Sequence, residues 1–187
     1  METGQQKVKN VCKNKIYIAL ILVTILFGSW QSNFEPKLNQ EQYKIINDAF
    51  TTETFLFDKT TTVKSWINLI NKEWLKDELW FCFGENEDKI IEELTDSDFK
   101  YNLSSHIQNQ IKPLIIEKEH LNPGVFNLTS KDKNGLVPKI SAPFFYENKA
   151  LIYYHSPIEE YIIYLKKNKS GVWERICIFH IFFILTE

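Results

Sequence analysis

Four runs dense in Ile, Tyr and Phe crowd the last third of the chain: Ile140–Glu147, Ala150–His155, Glu160–Lys166 and Val172–Leu185. β-Branched and aromatic side chains at this density favour extended backbone. Asn148-Lys149 and Asn168-Lys169-Ser170-Gly171 supply tight turns between neighbours. Strands joined by such short turns pair antiparallel, so the segment is expected to form a meander. A sheet with an apolar face must be covered, and the helices upstream are the available cover. The predicted class is α+β, a two-layer domain of helices packed on a C-terminal antiparallel meander sheet.

Upstream, Leu38, Ile45, Ile46, Ala49 and Phe50 recur at roughly helical spacing, with Pro36 predicted to open that helix. Thr51–Phe57 is strand-like. Val63, Trp66, Ile67, Ile70 and Trp74 fit an amphipathic helix. The short apolar run Leu79–Phe83 should close at Gly84 and an acidic turn, Glu85-Asn86-Glu87-Asp88. Thr95-Asp96-Ser97-Asp98 has the form of a capping box with Thr95 as the N-cap. The helix it would start carries Phe99, Leu103, Ile107 and Ile111 on one face, and Pro113 limits its end. Residues 120–139 read as an irregular connection punctuated by Pro123-Gly124, Asn134-Gly135 and Pro138.

At the other end, the run from Ile16 to Trp30 contains no charged residue. A core helix of this kind would show a polar face, and this run has none. Lys7, Lys9, Lys13 and Lys15 precede it and basic residues are scarce just after it, which orients residues 1–15 to the cytoplasm. As a helix it spans about 22 Å at ~1.5 Å per residue, short of a ~30 Å hydrocarbon core and close to a signal-peptide length. Against cleavage, Leu26, Phe27 or Trp30 stands three residues before each candidate site. Lys15 and Trp30 can also extend the span into the interfaces. The reading favours a retained signal-anchor, with a cleaved signal peptide and secretion as the alternative. A linker, residues 31–36, would lead to one extracytoplasmic domain, 37–187, on the periplasmic side of the inner membrane if the cell is Gram-negative.

The apolar and charged fractions, 44% and 25%, are those of a folded domain. With four lysines and one glutamate before the hydrophobic run, 18 basic and 23 acidic side chains follow it, a net of −5. A mildly acidic domain without a basic stripe excludes a nucleic-acid partner. Of the basic side chains, Arg175 is the single arginine, a bias of the kind an AT-rich genome produces. Cys82 and Cys177 both fall in the exported part. They are read as a possible disulfide closing a long loop, with two separate buried thiols as the alternative.

For chemistry, His155 with Glu159 and Glu160 is the leading cluster, since an imidazole beside carboxylates on a hairpin loop suits acid–base work or a divalent metal. No third ligand is evident, and Pro157 beside two glutamates equally describes an exposed turn. His106, flanked by Ser104 and Ser105, has no nucleophile elbow and reads as a hydrogen-bonded surface histidine. His180 reads as a satisfied strand histidine, and His120 has no obvious partner. Glu85, Glu87 and Asp88 lack EF-hand spacing. No cofactor or metal site is expected. The final apolar run is read as a covered central strand, with an exposed Phe179, Ile181 and Phe183 patch for a protein partner as the alternative.

The order Ile140-Ser141-Ala142-Pro143-Phe144-Phe145, Ala150-Leu151-Ile152-Tyr153-Tyr154, Tyr164-Leu165-Lys166-Lys167 and Trp173 resembles small exported or membrane-anchored proteins of Bacteroidota. In these, Ser-x-Pro-x-Phe, Ala-Leu-Ile-Tyr-Tyr, Tyr-Leu-x-Lys and Trp lie on successive strands. Leu94-Thr95-Asp96-Ser97-Asp98 followed by Gln110 is similar to a second pattern in them. The resemblance implies an exported α+β domain with no assigned reaction and supplies no catalytic residues. Many of those proteins carry Cys-Gly pairs where this chain has His155–Glu160. The expected function is a non-catalytic interaction or structural module of the cell envelope, the alternatives being an extracytoplasmic hydrolase and a small-ligand-binding domain with an apolar cleft.

Overall fold

The hydrophobic order of the C-terminal strands decides the architecture. In the computed structural model, whose described residues are 36–62, 80–84 and 86–183, Ala150 to Tyr154 are all buried. Side chains alternate between faces along a strand, so five consecutive buried residues require cover on both sides of the sheet. The expected membrane segment Ile16–Trp30, its flanks and the amphipathic helix from Val63 to Trp74 lie outside the described residues. Among the described residues no helix is long and apolar enough to cross a membrane.

The elements are α1 (Gln40–Ala49), β1 (Thr54–Phe57), β2 (Trp80–Cys82), α2 (Glu87–Thr95), α3 (Ser97–Asn109), β3 (Phe126–Thr129), β4 (Lys139–Ile140), β5 (Phe144–Tyr146), β6 (Lys149–His155), β7 (Glu159–Lys167) and β8 (Trp173–Phe183). The main sheet runs β2-β8-β7-β6-β4, with β5 pairing β6 along the same edge as β4. Every pairing in it is antiparallel, and β5 to β8 form the meander. A second, two-stranded sheet pairs β1 with β3 in parallel.

Two cores sit on opposite faces. On one, Ile45, Ile46 and Ala49 of α1 meet Ile152 of β6 and Ile163 and Leu165 of β7. On the other, Ile90 and Leu94 of α2 and Phe99 and Leu103 of α3 meet Leu151 and Tyr164. The two-layer expectation is corrected accordingly: the sheet lies between helices on both faces.

Helix starts differ from expectation for local reasons. Lys37 forms a bridge to Ile115, so α1 opens two residues later, at a reciprocal cap between Asn39 and Gln42. Glu87 and Asp88, expected in a turn, open a helix instead. Asn86 caps it, and Glu87 and Asp88 occupy the first turn, where the helix dipole favours negative charge. At α3 the cap is Asp96, whose carboxylate accepts from the amides of Asp98 and Phe99. Thr95 instead donates back to the Ile91 carbonyl at 2.6 Å. Ile111, placed by spacing on the apolar face of α3, is 75% exposed beyond the helix end. The irregular stretch contains β3, whose partner β1 lies far away in sequence. The first meander run breaks into β4 and β5, because Ser141 turns aside to bridge Thr61 and bond Tyr153.

Candidate functional site

The expected acid–base cluster is split by the pleat. Register sets His155 on β6 opposite Glu160 on β7, with Nδ1 2.7 Å from the carboxylate. Tyr153, on the same face, also bonds Glu160, and its ring stacks near that of His155 at 6.3 Å and 16°. Burial, then that carboxylate, pushes the Tyr153 phenol far above its ordinary value. Glu159 belongs to the opposite face and acts electrostatically on Tyr154, Tyr161 and His180. Its backbone closes the hairpin with Ser156. The structure thus brings two of the three residues together and separates the third. His155 and Glu160 remain 41% and 27% exposed, an arrangement that orients an imidazole on the surface and assembles no further acid or base from Glu159.

Cys82 and Cys177 sit directly opposite each other on β2 and β8 and are joined by a disulfide across 95 residues of sequence. His120 is not isolated: it packs at 4.8 Å on the Tyr43 ring, with Nε2 3.5 Å from Glu117. Glu117, Glu119 and His120 lie close enough to share one ion, but Glu117 is already paired with Lys37. His180 stands edge-on to Phe81 and Tyr161, and burial holds its pKa below the usual imidazole value. Phe179 is buried in the α2–α3 core with Ile181 packed against it, so these two do not form an exposed patch. The side chain of Phe183 lies outside the described residues.

A cleft of about 510 Å³ opens where α3, the start of α1 and β5 meet. From α3 it takes Asn102, Ser105, His106 and Asn109, spaced i, i+3, i+4 and i+7 on one helix face, and then the C-cap residue Gln110. The start of α1 gives Asn39 and Gln42. Ala142, Phe144 and Phe145 supply the apolar part, together with Leu114. No lining residue is charged, although a quarter of the chain is. Several lining amides are already held: Gln42 donates to the Pro143 carbonyl at 3.1 Å, and Gln110 to Thr60 at 3.4 Å. Those bonds fix the walls in place.

His106 is the member least expected from sequence. It is half-buried, its ring 5.4 Å from that of Phe144, rather than the surface histidine anticipated. Burial holds its pKa below the ordinary imidazole value despite a hydrogen bond to the Ala142 carbonyl. Its Nε2 is buried with no hydrogen-bond partner. Since the carbonyl needs a donor, Nδ1 carries the proton and Nε2 is left as an acceptor.

Sequence reasoning followed the apolar face of α3 and missed this polar one. The signal was present: a stripe of Asn, Ser, His and Asn at helical spacing without the Lys or Glu that solvent-facing helices carry. A smaller groove of about 300 Å³ includes Arg175 and the stacked Tyr154 and Tyr161 rings, 4.4 Å apart. Compared with family models, with curated proteins and with solved structures, the chain matches none of them.

Proposed function

We propose that this chain is a membrane-anchored extracytoplasmic module that works by holding a ligand in the α3–α1–β5 cleft, without catalysis. The observation that carries the reading is the lining itself. A concave site of small-ligand size, uncharged and rich in carboxamides, suits hydrogen-bonded recognition. It holds no paired acid and base of the kind hydrolysis needs. The cleft mixes amide and apolar surface, unlike the apolar cleft of the alternative ligand-binding reading, so hydrogen bonds can orient what burial holds. The lysine-flanked Ile16–Trp30 run supports the membrane placement. A bridged Cys82–Cys177 pair supports a position outside the cytoplasm, because disulfides persist in oxidising compartments.

The test is ligand-linked stability in the native membrane fraction. A bound ligand stabilises the fold by mass action, about 2.7 kcal/mol at a hundredfold excess over Kd, and so raises the melting midpoint. The parent chain should therefore melt higher in its own membranes than after extraction and washing in detergent. Asn109→Trp, which fills the cleft, should remove that difference. Equal differences in parent and variant would count against the reading.

A further inference from the structure

We infer that the ligand of the cleft is an uncharged, hydroxyl-rich molecule, a neutral saccharide. The inference rests on the reading of the chain as a binding module and names the ligand class of that same site.

The argument starts from the hydrogen-bonding groups that the fold leaves unspent. Asn102 donates to the Asp98 carbonyl at 2.8 Å, and Asn109 reaches Ser105 at 3.4 Å. Their amide oxygens, with that of Gln110, have no protein donor among the described residues. On the donor side stand the Asn39 side-chain amide and the Ser105 hydroxyl. The lining therefore offers both acceptors and donors. Vicinal hydroxyls match such a surface because each both donates and accepts.

Charge decides against several other ligands. Phosphate and carboxylate groups are held by Arg, Lys or helix N-termini; the cleft has no cationic side chain, and at the start of α1 the backbone amides of Asn39 and Gln42 are already taken by their reciprocal cap. Cationic ligands call for carboxylates or an aromatic cage, and the lining provides one exposed ring only. That ring is Phe145, 37% exposed. A single flat apolar face beside amides suits the C–H face of a pyranose, which stacks on a ring while its hydroxyls point sideways. The volume, about 510 Å³, falls within the range of small-ligand sites. Lysine is more abundant in this chain than asparagine, so base composition alone would have placed lysines here as readily as amides.

The experiment is calorimetric titration of the full chain in a detergent without a sugar headgroup. The probes are maltohexaose, cellohexaose and mannohexaose, with hexagalacturonate and an end-blocked hexa-alanine as charged and peptide comparators. At least one neutral hexasaccharide should bind. Asn102→Leu should weaken it about tenfold, the worth of one well-formed hydrogen bond. Asn109→Asp, which adds charge without bulk, should weaken it at least as much, and Lys169→Ala, on an exposed turn, should leave it unchanged. Binding of the peptide or the galacturonate alone would overturn the inference. So would failure of all three neutral sugars, or sugar binding that ignores both cleft substitutions. The stability difference between native membranes and washed detergent is independent of these probes. If it persists while the sugars fail, the binding module stands and the saccharide assignment falls.

Discussion

Glu41 shows how a single side chain ties the helical layer to the sheet. One carboxylate oxygen accepts from Lys167 at 2.6 Å and from the Trp173 indole at 2.8 Å. The Lys167 hydrogen bond is the largest cause holding its pKa below the ordinary value of 4.5, with Trp173 adding to it against the cost of burial. A carboxyl depressed in the folded state adds stability that is complete above the unfolded value and lost as pH falls through the folded one. Stability should therefore fall below about pH 4.5, and Glu41→Gln should flatten that loss while costing about 1–2 kcal/mol at neutral pH. Denaturant midpoints across pH measure both. The His155–Glu160 pair should matter little by contrast. Half-exposed pairs contribute about 0–1 kcal/mol, so Glu160→Gln should shift the midpoint by no more than that. Residues of the first kind were not legible in sequence, because Glu41 and Trp173 are brought together only by the tertiary fold. His106 was misplaced for the same reason: its neighbour Phe144 arrives from the sheet.

At the level of elements, local signals were read best where they were strongest. The meander was legible because turn residues and apolar runs agree over adjacent segments. The β1–β3 pairing was not, since its partners lie far apart and carry no local cue. The capping signal before α3 was visible but displaced by one residue, because carboxylate and hydroxyl compete for the same amides and Asp96 prevails. Asp96→Ala should destabilise the domain by about 1 kcal/mol, whereas Thr95→Ala should cost less, and chemical denaturation of both variants decides the assignment. β2, an edge strand of three residues, depends on more than its ladder. Closing a loop across 95 residues contributes roughly 4–5 kcal/mol in the chain-entropy account. Cys82→Ala with Cys177→Ala should lower stability by an amount of that order, and a loss below about 1 kcal/mol would contradict the role of the bridge.

For the whole molecule, the sheet between two helical layers leaves the cleft at a corner. There α3 passes the start of α1 beside β5, and the amide cleft results from that meeting. An antiparallel meander commonly leaves one side solvated, but the uninterrupted apolar Ala150–Tyr154 run demands cover on both faces, and the sheet has it. The anchor reading makes its own prediction at this scale. Protease added outside spheroplasts should remove the domain, and the Ile16–Trp30 segment should stay with carbonate-washed membranes. Digestion only after lysis would reverse the orientation. The claim on which the account turns is that the cleft is where this chain meets its ligand. A photoreactive residue placed at Asn109 of the full chain in living cells tests it most directly. A defined adduct from position 109, absent when the same group stands at Lys169, is the predicted result. No adduct at 109, or equal labelling from both positions, would contradict it.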